Sequence, residues 1–262
     1  MIHYLYDGTF EGLLTVIAGA LKNYKEITNI SSARDIQPDL FTEFIEINTD
    51  PALAEEFFQL LSKKITKITI TDICYCFLSE KRGIEMLILN YIRLLLENGN
   101  RASNKVSDTT VFQIQRISEQ VSHEILRFYG FVRFRKLKNG IYFAAIEPDY
   151  NIVQFLAPHF TARFADQQWL IHDRKRDTGI YYDGSQCTFI PLMEITPEAA
   201  NISTSDGAGR ESPVLDPEEL NYQNIWNQYY QQAAITEREN KKVRNQRMPV
   251  RYWRYLVEQV KK

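Results

Sequence analysis

Cysteine is nearly missing from this sequence, and what little there is excludes two common scaffolds. The 262 residues contain Cys74, Cys76 and Cys187, an odd set too small for a disulfide framework, and C-x-C by itself is neither a redox nor a zinc motif. Cys74 and Cys76 fall in the apolar stretch ITDICYCFLSE, where thiols pack as small hydrophobes. The four histidines, His3, His123, His159 and His172, make no HExxH or similar ligand pair. No structural metal and no cofactor are expected. Long apolar runs are lacking too: nothing approaches the roughly 18 uncharged residues that span a bilayer. The start MIHYLYDGTFEG carries acids where a secretory leader carries bases and a long apolar stretch. These absences point to a cytoplasmic protein without a membrane partner. Signatures of established chemistries are absent as well. GxSxG, GxxxxGKS/T and GxGxxG do not occur, and DGAGR at 206–210 lies in a loop-like stretch without the strand and helix that a phosphate cradle needs.

What is present suits a packed fold. Apolar residues make up 44 % and charged residues 24 %, near the average for globular proteins, and the length serves one large domain or two modest ones. IHYLYDG reads as a short strand running into an Asp-Gly turn. TFEGLLTVIAGALKNY then opens at Thr9, an N-cap residue type, and sets Leu13, Val16, Ile17, Ala20 and Leu21 at helical spacing. LFTEFIEINTD predicts a second strand, and Asp50-Pro51 a helix with proline in its first turn. Helices follow around 70–79 and 83–97, and a long one over about 108–129 carries Val111, Ile114, Ile117, Val121, Ile125 and Phe128 in one stripe.

The texture changes at Gly130. FVRFRKLK and IYFAAIE flank Asn139-Gly140, a tight-hairpin signal because both residues tolerate positive φ. A helix interrupted at Pro158 comes next. The strands QWLIHDRKR, GIYYDG and CTFIPL then complete an antiparallel meander of about five strands with that helix inserted. Residues 196–217 are rich in Ser, Gly, Pro and acids and read as a flexible linker or long loop. A helix broken near Ile235 and a final helix, VRYWRYLVEQVKK after Pro249, end the chain. The fold class is α+β. A mainly helical region with short strands covers 1–129, and an antiparallel sheet region covers 130–195, packed with the first as one domain. The linker occupies 196–217 and basic helices occupy 218–262.

The formal net charge of −2 hides an asymmetry. Residues 127–176 hold nine bases against four acids, and residues 236–262 hold nine against three. Bases interleaved with Phe, Tyr and Trp suit single-stranded or distorted nucleic acid, where arginine neutralises phosphate and each aromatic stack contributes roughly 1–3 kcal/mol. Acidic helices paired with basic strands inside one domain would use the same charges differently. In FVRFRKLKNG, alternation puts Arg133 and Arg135 on one face, where Arg174 from a neighbouring strand could join them. With Arg163, Arg176, Arg251 and Arg254 these are the candidate phosphate contacts. Asp173 either pairs with Arg163 or Arg176, orienting a guanidinium toward phosphate, or closes a surface turn. His159 and Arg163 share a helical face, and His159 with Asp173 are the candidates for a catalytic role. Trp226, Tyr229 and Tyr230 read as a helix-packing stripe rather than a base-stacking platform.

YDGTFEGLL (6–14), GFVRF (130–134), PHFTARFADQQWLIHDRKR (158–176) and MPVRYWRYL (248–256) occur in this order. Taken together, they make the chain resemble a family of bacterial DNA-repair or DNA-metabolism proteins. The resemblance implies DNA as one partner. It implies a second in a radical SAM (S-adenosylmethionine) protein similar to spore photoproduct lyase, encoded beside such proteins. Some relatives carry a fused uracil-DNA-glycosylase-like domain; this chain ends soon after RYWRYL, so that activity is not expected here. The cysteine triplet that holds a radical enzyme's [4Fe–4S] cluster is also missing, which leaves the iron–sulfur chemistry to the partner. The expected function is to bind damaged or single-stranded DNA and present lesions to the radical enzyme. A lesion-processing glycosylase or lyase using Asp173 and His159, and a protein-interaction adaptor without DNA affinity, are the alternatives.

Overall fold

The computed structural model describes residues 2–22, 27–33, 42–191, 202–205, 211–233 and 240–259. The chain divides into two units, residues 1–122 and 123–262, and the boundary falls inside one helix. The whole is α+β, with sheets of three and five strands and a two-stranded ribbon.

In the first unit β1 (Ile2–Tyr6) is the middle strand, with β2 (Ile27–Ser32) and β3 (Glu43–Glu46) on either side and both parallel to it. Parallel neighbours need a crossover, and α1 (Phe10–Lys22) lies between β1 and β2 in the chain. The strand β2 escapes sequence reading because ITNISS offers Asn and Ser where strand patterns favour branched and aromatic residues. Four helices follow: α2 (Pro51–Lys64), α3 (Lys67–Leu78), α4 (Ile84–Asn98) and α5 (Thr109–Phe131). Their starts obey local chemistry. The Asp50 side chain accepts the Ala52 and Leu53 N–H groups, and Asp108 accepts those of Thr110 (2.8 Å) and Val111 (3.3 Å). Leu13 and Ile17 of α1, Ile88, Ile92 and Leu95 of α4, and Val111 and Ile114 of α5 fill one core. Each such side chain contributes roughly 1.5–3 kcal/mol by leaving water. Burial pushes the Cys74 thiol up to about 11 and, helped by the Asp72 charge, that of Cys76 up to about 12. Both thiols therefore stay protonated and act as small hydrophobes.

The turn YDGTFEG is fixed by Asp7. Its carboxylate accepts the N–H (2.8 Å) and hydroxyl (2.7 Å) of Thr9 and the hydroxyl of Thr49 (2.7 Å), while the Thr9 hydroxyl accepts the Gly12 N–H at 3.0 Å. A Cβ at Gly12 would collide with the Asp7 carboxylate and lie 2.9 Å from the Thr49 hydroxyl. Alanine normally favours a helix over glycine by about 1 kcal/mol. Here Gly12→Ala is expected to lower stability by about 1 kcal/mol, since crowding outweighs propensity. Urea unfolding checks it, and a stabilised variant would contradict the cap.

In the second unit β4 (Arg135–Lys136), β5 (Tyr142–Ile146), β6 (Trp169–Asp173), β7 (Thr178–Tyr182) and β8 (Cys187–Pro191) form the five-stranded sheet in that order. Three of the four pairs are antiparallel, but β5 and β6 run parallel. The expected meander is thus corrected. The helix α6 (Val153–Arg163) carries the chain back along the sheet, and a pair joined by a helical crossover is parallel. That helix continues through Pro158 rather than breaking there. The Asn139-Gly140 hairpin also differs from the two-residue turn. Leu137 N–H donates to Ile141 O and Gly140 N–H to Leu137 O, each at 2.8 Å, and of the pair only Gly140 has positive φ, 87°. The result is a three-residue loop with glycine at the left-handed bulge position.

Of the stretch 196–217, residues 196–201 and 206–210 lie outside the described residues. β9 (Ile202–Ser205) and β10 (Glu211–Pro213) pair antiparallel. Lys138 N–H donates to Val214 O at 3.1 Å and Asp216 N–H to Lys136 O at 2.9 Å. Helices α7 (Glu219–Ala233) and α8 (Lys241–Arg247) follow, and the expected break near Ile235 lies outside the described residues. The expected final helix is instead a 3-10 segment over Val250–Tyr255. No helix among the described residues is long and apolar enough to cross a membrane.

Candidate functional site

The 3-10 segment explains itself through its side chains. With three residues per turn, positions three apart line up, so Arg251 sits with Arg254 and Tyr252 with Tyr255. The two pairs meet on Glu147 and otherwise have separate targets. Arg251 bonds the Asp149 carboxylate and Arg254 the Glu147 carboxylate, while the Tyr252 hydroxyl donates to Glu124 (2.6 Å) and the Tyr255 hydroxyl to Glu147 (3.1 Å). An α-helix would turn each third residue about 60° away from the first.

Glu124 is the hub beneath this grip. It is 3 % exposed, and besides Tyr252 it accepts the N–H groups of Asp149 (3.0 Å) and Tyr150 (2.9 Å). Burial and the Glu124 carboxylate push the Tyr252 phenol well above its ordinary value, so it remains a donor. The loop after β5 is held from its other side as well. Lys175 Nζ donates to Asp149 O at 2.8 Å, and the Arg176 guanidinium donates to Pro148 O (3.3 Å) and Asp149 O (2.9 Å). Lys175 and Arg176 come from the first basic segment and Arg251 and Arg254 from the second. The two segments converge on residues 147–150.

The candidate arginines fall into two groups. Arg133 and Arg176 are committed inward, and Arg135 is half-buried. Arg133 bonds Glu258 at 2.7 Å, with side chains 22 % and 1 % exposed, and its guanidinium lies 5.7 Å over the Trp226 ring. Arg176 bonds fully buried Asp173 at 2.8 Å, so of the two partners proposed for Asp173 the structure selects Arg176. Burial pulls the Arg135 guanidinium below its ordinary value, although Glu219 nearby opposes the shift. Arg135 pairs with Phe143 and Phe143 with Leu170, which leaves Arg174, just past the end of β6, four residues on from Leu170, roughly 13 Å at ~3.3 Å per residue. Arg163, Arg174, Arg251 and Arg254 belong to the exposed group. Arg163 lies 5.8 Å over the Phe164 ring on the last turn of α6.

His159 stacks on Tyr129 at 4.2 Å and 12°, with Phe160 edge-on at 4.9 Å. Asp173 accepts the Lys175 N–H at 3.0 Å as well as Arg176, which fixes the β6–β7 turn. Burial lowers the His172 pKa despite the bond to Asp177. Of the stripe expected on α7, Trp226 and Tyr229 turn outward at 39 and 61 % exposure, beside Tyr222 and Ile225 at 58 and 62 %, whereas Tyr230 is half-buried and its hydroxyl accepts the Gln259 amide at 3.1 Å.

Sequence reasoning missed the carboxylates. Glu124 lies between Val121 and Phe128 on the apolar stripe of α5, and a charge in such a stripe is the signal that points to a buried hub. Glu219 accepts the Lys136 N–H at 2.9 Å and Glu258 accepts the Trp226 indole N–H at 3.0 Å; neither stands out locally.

A family model described as DUF4130, a domain of unknown function, matches residues 82–258. No curated protein matches the chain.

Proposed function

This chain belongs to the DUF4130 family, and we propose that it is a DNA-metabolism protein that holds single-stranded or damaged DNA against the surface around residues 147–150. The supporting observation is the convergence there of exposed Lys175 with Arg251 and Arg254. Arg251 and Arg254 are 53 % and 57 % exposed in their pairs. Exposed pairs of this kind contribute about 0–1 kcal/mol, so a phosphate can take over either guanidinium at small cost. Exposed Arg174 and Lys175 extend the surface. Arg163, with the Tyr129–His159 stack on the same unit, offers a further cation and an aromatic face.

In this reading the protein works in the cytoplasm beside a radical SAM protein, which supplies the lesion chemistry. The assignment rests on the sequence resemblance. Co-purification of the two from nuclease-treated lysate is the expected outcome. The lesion-processing alternative draws less support, because Asp173 is fully buried and bonded to Arg176 and the Lys175 N–H. The adaptor alternative is favoured by one observation, the inward commitment of Arg133 and Arg176.

Fluorescence anisotropy of a labelled single-stranded oligonucleotide separates these readings. Affinity is expected to fall steeply from low to moderate salt. Replacing Arg174, Lys175, Arg251 and Arg254 together by alanine should flatten the log–log salt slope by about 3, close to 0.7 for each cation removed. An unchanged slope would reject this surface. Absence of binding at low salt, with the protein folded, would reject the DNA reading and leave the adaptor.

A further inference from the structure

The chain from Leu220 to Thr236 carries no Asp, Glu, Lys or Arg, the longest such run in a sequence that is 24 % charged. Its described part is most of α7, whose Tyr222, Ile225, Trp226 and Tyr229 follow each other at spacings of three, one and three. These side chains form one helical face. A surface helix normally turns such a face to its own core, yet here all four are more than one-third exposed. The one acid of the helix, Glu219, is buried and bonded to the Lys136 N–H (2.9 Å) and the Gln223 amide (3.0 Å), so it adds no charge to the face. Trp226 is held in place by its indole N–H bond to Glu258 at 3.0 Å and by the Arg133 guanidinium.

We propose that this face is a homodimer interface, in which α7 of one copy packs antiparallel against α7 of a second copy. The chemistry favours an identical partner over a nucleic acid. Phosphate recognition needs cations, and Glu219–Ala233 has none. Interface cores are instead rich in Tyr and Trp and poor in Lys, Glu and Asp. Two identical surfaces ordinarily bring like charges together, and this stretch is where that repulsion vanishes. Exposed Asn221, Gln228 and Gln232 border the face and each carry a donor and an acceptor, so an amide of one copy can serve an amide of the other.

Size is compatible as well. Fifteen residues give a helix of about 22 Å. An aromatic side chain offers about 150–250 Å². At the observed exposures the four apolar residues then supply roughly 450 Å² per copy, and with flanking amides a symmetric pair reaches the ~1,000 Å² of a specific interface. The result is a concentration-dependent dimer with a two-fold axis between Ile225 and Trp226, with Tyr222 of each copy against Tyr229 of the other. Both copies contribute the same patch, as a two-fold interface requires. None of this depends on the DNA reading.

Sedimentation equilibrium over a wide concentration range tests it. Wild type is expected to dimerise reversibly, and Ile225→Glu or Ile225→Lys should each weaken the dimer at least about tenfold, the effect of one central side chain. Mixing the two variants should restore a heterodimer, because opposite charges then meet near the axis. Both substitutions are at an exposed site, and Tyr229→Glu provides a second probe if far-UV circular dichroism reveals misfolding in the first. A wild type that stays monomeric, variants that dimerise as wild type does, or folded variants whose mixture does not pair would each overturn the proposal.

Discussion

Glu124→Ala is expected to destabilise the second unit by about 2–4 kcal/mol, because one truncation leaves one buried donor and two part-buried ones without their acceptor, and an unmet buried donor costs roughly 1–3 kcal/mol. The donors are the Asp149 N–H, the Tyr150 N–H and the Tyr252 hydroxyl. Tyr252→Phe removes one bond and leaves Glu124 its two backbone partners, so about 1 kcal/mol is expected there. Glu124→Gln should fall between the two, since a carboxamide keeps one acceptor oxygen. Equilibrium urea unfolding orders the three variants. A loss below about 1 kcal/mol for Glu124→Ala would mean that water satisfies the donors and that Glu124 is no hub.

Arg133→Ala is the second large effect, and it concerns stability rather than DNA. It strands the Glu258 carboxylate, 1 % exposed, with the Trp226 indole as its remaining side-chain donor. Removing one partner of a buried pair costs about 3–5 kcal/mol, toward the lower end here because Arg133 retains partial exposure. The pH dependence carries a signature. Burial pushes the Glu258 carboxyl up, but the Arg133 and Trp226 hydrogen bonds outweigh it and hold the group below its ordinary 4.5. A depressed folded pKa adds stability that is present above the unfolded value and is lost as pH falls through the folded one. Wild type should therefore lose this contribution below about pH 4.5, and Arg133→Ala should lack it throughout. Thermal melts of both proteins from neutral to acid pH decide it: parallel curves would show that the pair contributes nothing. Weaker oligonucleotide binding by Arg133→Ala would accordingly report unfolding, not the removal of a phosphate ligand.

Those two residues mark where the sequence was legible and where it was not. The helix start at Asp50 could be read directly, and that of α5 to within Ser107 or Asp108, because capping is local, involving residues two or three apart. The strands β6, β7 and β8 were legible for the same reason, through alternation and turn residues. Strand direction was not. Whether β5 and β6 run parallel depends on what α6 does between them, which no window of a few residues contains. The site divides along the same line. Seven arginines were identifiable by charge and neighbours, but the partners Glu258, Asp149 and Glu147 are brought in from far along the chain. Pairing decides whether a guanidinium faces solvent or is consumed inside. The aromatic residues of α7 read as a packing stripe; only the fold shows that Trp226 and Tyr229 face outward.

The 3-10 grip also sets an order of events during synthesis. Tyr252 meets Glu124 across 128 positions of chain and Arg133 meets Glu258 across 125. Contacts of that separation form late, after the entropy of closing the intervening loop has been overcome. In a chain made from its N-terminus, Glu124 and Arg133 wait more than a hundred residues for Tyr252 and Glu258. The second unit therefore locks only after Tyr252 and Glu258 have joined it.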